Sequence, residues 1–302
     1  MNRTRGWLAL ILALAPAATV RAAEVVILKS SEQPGVRPVV DALRRAGSAH
    51  TFAEFDLGGN RVQGERIAAG MQGRAVILVA VGLLAAQVAR AALPDAPLVF
   101  CMVFEPEKAG LTDAVRVGGV SAVVPIKNQL AAFRLVNPRG ARIGVLYGPD
   151  TASSIEDAQK AARLVRVALV PRLLSSDRDV PVAMRELLTG SEAVDAVWML
   201  ADPVITGDQT RRYVISETLK AGRPVYAYSD TLIAEGALVS DGPDPASVGE
   251  QVAELVDRLA AGERGRMEML VPRAELVINK KIAGKLKIEI PADALKAANR
   301  VF

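Results

Sequence analysis

The stretch RPVYAYSDTLIAEGALVSDGPDPASVG, residues 223–249, decides the fold because it joins a buried strand to a polar loop and a later helix. Its apolar run at 224–228 predicts a strand, which ends abruptly at Ser229-Asp230. Gly236 ends a short amphipathic segment, and residues 237–240 predict a second strand. Ligands of open α/β sheets bind beyond the carboxyl ends of strands. Two interpretations of the polar pair stay open, because it could line such a crevice or cap the next helix.

The rest of the chain repeats this alternation of strand and helix. Apolar runs of strand length, separated by helical periodicity, lie at 24–29, 51–56, 75–81, 97–104, 142–147, 165–174, 193–200 and 224–228. Such an alternation predicts parallel sheets of the α/β class. Because 302 residues are enough for two units of ordinary size, we predict two doubly wound parallel-sheet lobes.

Polar, aromatic and glycine residues follow the predicted strands or begin the helices after them. We expect these residues to line a cleft between the lobes. The candidate ligand-binding residues are Ser30, Ser31, Gly82, Leu83, Phe104, Glu105, Tyr147, Ser153, Ser154, Asp202, Ser229 and Asp230. Hydroxyls, helix-start N–H groups and carboxylates suit a zwitterionic or cationic small molecule. Capping of helix starts is the alternative role for the carboxylates.

Several classes of function lack the residues that they need. The sequence has one Cys and one His, so an internal disulfide is impossible and a His-rich metal site is excluded. It has no Gly-rich phosphate loop, nucleophile elbow or zincin motif. We therefore predict no catalytic residue, no cofactor and no metal, and a protein that is not an enzyme. The alternative of a secreted enzyme would need turnover of a candidate ligand.

Residues 1–22 are predicted to be a cleaved export signal. Two arginines near the start precede an apolar core at 7–15, which is too short to span a bilayer, and Val20-Arg21-Ala22 offers a cleavage site. Removal of three arginines and no acidic residue lowers the net charge from +4 to about +1. This low charge argues against a nucleic-acid surface. The sequence therefore predicts a soluble periplasmic protein.

Five stretches, taken in order, carry a family resemblance. They are AVILVAVGLLAAQVA (75–89), RIGVLYGPDTASS (142–154), VDAVWMLADPVIT (194–206), RPVYAYSDTLIAEGALVS (223–240) and LVINKKIAGKLKIEIP (276–291). Their order resembles a type I periplasmic binding protein. More narrowly, it resembles the substrate-binding proteins of ABC transporters in the family that includes tryptophan and tyrosine binders. The resemblance covers residues 24–302.

The resemblance implies a clamshell of two lobes joined by three crossings. The first lobe would comprise residues 23–121 and 230–264, and the second residues 122–229 and 265–302. The expected crossings lie at 121–125, 227–230 and 265–271. A monomer would capture a small molecule, amino-acid-like or cationic, and deliver it to an ABC permease in the inner membrane. The alternative is a sensor module that docks to a membrane receptor or kinase without transport.

Two departures from the family's pattern concern the expected site. The family usually carries a Gly-Thr-Pro-like step after the third strand, where this chain has Gly82-Leu83-Leu84. The family's Asp-Asn-like step is Asp202-Pro203 here. The first departure removes a hydroxyl that would bind a ligand carboxylate, so we expect poor binding of free amino acids held mainly by that contact.

Overall fold

The computed structural model describes residues 22–104, 106–107, 109–112, 114–191 and 193–302. The strands β1–β13 are Glu24–Lys29, Thr51–Asp56, Val76–Val81, Leu98–Cys101, Val117–Val120, Arg142–Tyr147, Ala168–Leu173, Ala196–Met199, Val225–Ala227, Val239–Pro243, Met269–Leu270, Ala274–Ile278 and Arg300–Val301. The helices α1–α12 are Val36–Ala46, Arg61–Ala69, Leu83–Ala92, Ile126–Val136, Ala152–Leu164, Val180–Thr189, Pro203–Thr206, Asp208–Lys220, Thr231–Glu235, Pro245–Ala260, Lys280–Leu286 and Ala292–Ala297. The predicted export signal, apart from Ala22, lies outside the described residues.

Two sheets form the two lobes. The first has six parallel strands in the order β11-β5-β4-β3-β1-β2, and the second has seven in the order β13-β12-β10-β9-β8-β6-β7. Within the second sheet, β12 runs antiparallel to β10. Helices interleave with the strands along the chain. The predicted α/β fold with two doubly wound parallel-sheet lobes is confirmed.

Apolar side chains on both faces explain why the strands are buried. All six residues of β3, VILVAV, are buried, as expected for a parallel strand with helices on both sides. In the first lobe, one face packs against α1 and α10 and the other against α2 and α3. In the second lobe, one face packs against α4 and α5 and the other against α6 and α8.

Three short crossings join the lobes. Each connects the carboxyl edge of one sheet to the carboxyl edge of the other. The chain leaves β5 through residues 121–125 to begin α4, and it leaves β10 through Asp244 to begin α10. Both helices then return to the amino edge, where the next parallel strand begins. The third crossing runs from the end of β11 through residues 271–273 to β12, which starts beside the end of β10. The carboxyl edges of the two sheets are therefore neighbours in space.

The lobe boundaries differ from the sequence expectation at two places. Residues 230–243 were expected in the first lobe, but β10 pairs in parallel with β9 of the second sheet. Residues 265–270 were expected in the second lobe, but β11 pairs with β5 of the first sheet. The polar pair Ser229-Asp230 ends β9 without leaving the lobe, because α9 carries the chain back to add β10. The second crossing is therefore at Asp244.

The crossings are tied to one another by hydrogen bonds. Gln251 of α10 is 7% exposed; its Nε2 donates to the Val271 carbonyl at 2.9 Å, and its Oε1 accepts from Arg273 N at 3.4 Å. Asp244 N donates to the Arg273 carbonyl at 2.9 Å, and Ser121 N donates to the Leu270 carbonyl at the same distance. The three crossings therefore form one connected hinge rather than three independent linkers.

Candidate ligand-binding site

Ser30 and Gly82 form a tight corner at the carboxyl edge of the first sheet. The Ser30 Oγ accepts a hydrogen bond from Ala85 N at 3.0 Å and so caps the first turn of α3. Gly82 has φ 91° and ψ 165°, a backbone conformation that is nearly restricted to glycine. A Cβ at Gly82 would lie 2.6 Å from the Ser30 Oγ. Both residues thus shape the edge, and the Ser30 oxygen is already used as a cap.

Leu83 and Phe104 give the first lobe an apolar surface at this edge. Leu83 is 47% exposed and Phe104 is 56% exposed, and they follow the neighbouring strands β3 and β4, whose ends Val81 and Cys101 are paired. The buried Cys101 thiol has its pKa raised to about 12 by desolvation, so it belongs to the core. The predicted site residue Glu105 lies outside the described residues.

Asp202 holds two loops of the second lobe together. Its Oδ2 accepts hydrogen bonds from Gly148 N at 2.7 Å and from the Thr151 hydroxyl at 2.5 Å, and its Oδ1 accepts from Val204 N at 2.8 Å. The side chain is fully buried. The capping alternative therefore describes Asp202, which positions the loop after β6 and does not present a free carboxylate.

Ser229 and Asp230 lie together after β9, but their side chains make different contacts. The Ser229 Oγ lies 3.0 Å from the Thr231 Oγ1. Asp230 begins α9 without a side-chain cap, and its Oδ2 accepts a 2.5 Å hydrogen bond from Arg300 of β13. Arg300 also pairs with Glu275 of β12. The Asp230 carboxylate is thus engaged by an arginine toward the outer strand of the sheet.

The other predicted residues keep accessible hydroxyls or rings. Tyr147 ends β6 and is half-buried against the core of the second lobe, while Ser153 and Ser154 are exposed in the first turn of α5. Ser31 is half-buried, and its hydroxyl accepts a hydrogen bond from Gln33 at 3.2 Å. These side chains, with Leu83 and Phe104, are the part of the predicted set that is free to meet a ligand.

Asp241 is a candidate that the sequence pattern did not reveal. It lies in β10 and is 5% exposed, and burial raises the pKa of its carboxyl to about 6. The sequence predicts a turn at Asp241, because Gly242 and Pro243 follow it. The structure continues the strand to Pro243 by pairing with β12. Its neighbours in the chain are Ser240 and Gly242, so no local pattern marked it as a strand residue.

Two sizeable grooves lie elsewhere. One of about 940 Å³ is lined by Ala23, Arg74 and Arg116 at the amino edge of the first sheet, and one of about 710 Å³ is lined by Asn137 and Arg223 at the amino edge of the second. Both face away from the crossings. Within the part of the chain that the structure describes, no group of three or more His, Cys, Asp or Glu residues could hold a metal ion. None of the described helices is long and apolar enough to cross a membrane.

Comparison with known families identifies the class of protein. A family model for ABC transporter substrate binding proteins matches residues 39–302. The chain belongs to this family. The comparison with curated proteins found no match. Substrate-binding proteins of this family are an extracytoplasmic, non-enzymatic class.

Solved structures support the fold of this ABC transporter substrate-binding protein. An ABC domain from Streptococcus pneumonia in complex with L-Trp is 20% identical, with a TM-score of 0.71 over 93% of this chain and 100% of that one. A ligand-free, open substrate binding protein with adhesive properties from Clostridium difficile is 18% identical, with a TM-score of 0.79 over 92% and 99%. A conserved domain protein from Vibrio cholerae is 25% identical, with a TM-score of 0.70 over 93% and 99%. The predicted family and type I fold are confirmed.

Proposed function

We propose that this protein captures a small molecule between its two lobes and delivers it to an ABC permease of the inner membrane. The observation that carries the proposal is the arrangement of the crossings, each of which joins the carboxyl edges of the two sheets. Loops beyond the carboxyl edges of parallel strands are the usual ligand sites of α/β proteins. A molecule between these edges would contact both lobes at once.

The two edges offer different chemistry to such a molecule. The first lobe presents the apolar side chains of Leu83 and Phe104. The second presents the Tyr147 ring and, at the start of α5, the hydroxyls of Ser153 and Ser154. We therefore expect an apolar part of the ligand to pack against the first lobe while polar atoms bind the second.

Contact with both lobes would couple binding to closure. A ligand shifts a conformational equilibrium only when it binds one state more tightly, and a closed cleft offers contacts from both edges. The connected hinge formed by Gln251, Arg273 and Asp244 would take up the change in backbone angles. The permease would then recognise the closed, loaded form.

Free amino acids are poor candidates for this cleft. Leu83 stands where a hydroxyl would receive a ligand carboxylate, and the nearby Ser30 oxygen is used as the cap of α3. A buried polar group left without its hydrogen-bond partner costs about 1–3 kcal/mol, and a charged carboxylate costs more. In a thermal-shift screen we therefore expect little stabilisation by L-tryptophan or L-tyrosine, and strong stabilisation by either would contradict this part of the proposal.

The test of the proposal starts from the solute that co-purifies with the protein, identified by mass spectrometry. Its affinity is then measured by calorimetry for the wild type, for Leu83→Glu and for the control Val62→Glu. Val62 is 64% exposed in the same lobe but lies on α2. We expect Leu83→Glu to weaken binding at least about tenfold, which is about 1.4 kcal/mol, and Val62→Glu to leave it unchanged. Equal affinities in all three proteins would remove the first lobe from the site.

A second test separates transport from sensing. Genes for a permease and an ATPase beside the gene for this protein would support delivery. A neighbouring sensor kinase without them would support the sensor alternative.

A further inference from the structure

Asp241 lies at the carboxyl edge of the second sheet, in the same row of side chains as the predicted site residue Tyr147. Its neighbour Ser240 is paired with Ala227, the last residue of β9, so Asp241 is one position past the end of that strand. Side chains alternate between the faces of a sheet, which places Asp241 on the face that carries Val239 and is covered by α4.

Tyr147 occupies the same row of that face. Val145, Trp198, Tyr226 and Val239 are paired across β6, β8, β9 and β10, and Tyr147 and Asp241 are each two residues further toward the edge. Three strand spacings separate them, a distance of about 14 Å. A small molecule lying along the edge of the second lobe can therefore reach from the ring toward the carboxylate.

The carboxylate of Asp241 has no partner within the described part of the chain. No described N–H or O–H group donates to it, and no described Lys, Arg or His pairs with it. Asp202, Asp230 and Asp244, which also lie near strand ends, are all bound to donors. Among the buried aspartates described at this edge, Asp241 is thus the one whose carboxylate has no donor.

Leaving such a group unpaired is costly. A buried charge without a partner loses its hydration and gains nothing in return, and buried carboxylates in proteins are ordinarily paired or hydrogen-bonded. Desolvation is the cause of the raised pKa of Asp241. A cation that arrives from outside the chain would supply the missing partner.

We propose that Asp241 binds a cationic nitrogen of the ligand, so that the cleft selects small organic cations. The proposal rests on the proposed solute-binding function. The nitrogen donates a charge-assisted hydrogen bond to the carboxylate, and the apolar part of the ligand extends along the edge toward Tyr147 and the surface of Leu83 and Phe104. Because Asp241 lies three residues before the crossing at Asp244, the ion pair forms next to the hinge.

The test uses a panel of amines with neutral counterparts at pH 8, where both the amines and Asp241 are charged. The probes are tryptamine, 2-phenylethylamine, putrescine and agmatine, with 2-phenylethanol as the neutral isostere of 2-phenylethylamine. They are titrated against the wild type, Asp241→Asn and the control Asp157→Asn. Asp157 is 74% exposed on α5, so its substitution changes the net charge equally without touching the cleft. Circular dichroism checks that each variant is folded.

We expect at least one amine to bind the wild type and the Asp157→Asn variant with equal affinity, and to bind Asp241→Asn at least about tenfold more weakly. The neutral isostere should not bind preferentially to the wild type. Binding of no amine, or equal binding to Asp241→Asn, overturns the proposal. If the co-purifying solute is neutral or anionic and binds the wild type and Asp241→Asn alike, this inference fails while the solute-binding function stands.

Discussion

The Asp202 carboxylate accepts a 2.7 Å hydrogen bond from Gly148 N and thereby joins the loop after β8 to the loop after β6. The same side chain caps α7 through Val204 N. This contact fixes the path of the chain between Tyr147 and Ser153, both of which we place in the ligand cleft. Asp202 is therefore a positioning residue, although its place after a strand suggested direct contact with the ligand.

Replacing Asp202 should destabilise the protein. Asp202→Ala leaves Gly148 N, Val204 N and the Thr151 hydroxyl without their buried acceptor, and we expect the free energy of unfolding to fall by about 3 kcal/mol. Thr151→Val removes one of these donors and should cost about 1 kcal/mol. Urea denaturation measures both changes. A loss below about 1 kcal/mol for Asp202→Ala would show that water replaces the carboxylate.

Gly82 should tolerate a side chain less well than the control position Gly58, which also has a positive φ angle. Gly82→Ala places a methyl group against Ser30 and enters a backbone region that costs about 1–3 kcal/mol for other residues. Gly58 has φ 56°, and a Cβ added there would have no atom within 4 Å, so Gly58→Ala costs only the left-handed backbone, about 1 kcal/mol. In thermal denaturation, the melting temperature of Gly82→Ala should therefore be lower than that of Gly58→Ala. Equal melting temperatures would mean that the corner relaxes freely.

The stability of the unliganded protein should depend on pH through Asp241. Its folded-state pKa of about 6 lies above the ordinary value of 3.8 for an aspartate carboxyl. Folding therefore favours the protonated carboxyl. Its contribution to the free energy of unfolding is fully present below about pH 4 and is lost as the pH rises through 6. Burial alone causes the shift, although the elements packed against β10 carry the charged side chains Lys127, Arg134, Glu235 and Glu275.

The variant Asp241→Asn should remove this dependence. Above pH 7 we expect the variant to be more stable than the wild type by up to about 3 kcal/mol, and the two proteins to converge near pH 4. Denaturant titrations between pH 4 and 8 measure the difference. A constant difference across this range would mean that Asp241 titrates normally in the folded protein.

Export should produce a chain that begins at Ala23 or Glu24. The structure gives a reason to favour Ala23, because its backbone N donates to His50 Nδ1 at 3.2 Å while His50 Nε2 lies 2.8 Å from Asp257 Oδ1. Cleavage after Ala23 would remove the first of these contacts. The mass of protein recovered from a periplasmic extract decides between the two, and a chain that retains Met1 in the membrane fraction would contradict export.

The sequence predicted the α/β class and the alternation of elements because both follow from local periodicity. It misplaced residues 230–243, because the break at Ser229-Asp230 looks the same whether the chain leaves the lobe or returns to it. The pairing of β10 with β9 and β12 depends on residues far apart in the chain. Local patterns carry no information on that pairing.

The role of each candidate site residue was harder to predict than its position. Asp202 and Asp230 both follow strands, yet their carboxylates bind Gly148 and Arg300, which are distant in sequence. The sequence around Asp241 predicts a turn. Pairing with β12 instead extends β10 through this position and buries Asp241. Whether a carboxylate is free or engaged depends on these tertiary contacts.

The central claim, that the lobes close on a bound solute, is tested most directly by a distance measurement. Val62 and Arg178 are exposed residues beyond the outer strands β2 and β7, far from the crossings. A Val62→Cys/Arg178→Cys variant can be labelled at neutral pH while the buried Cys101 stays unreactive, since the pKa of its thiol is raised to about 12. We expect fluorescence energy transfer between the labels to rise when the co-purifying solute is added back. Unchanged transfer at saturating solute would contradict closure of the two lobes on the ligand.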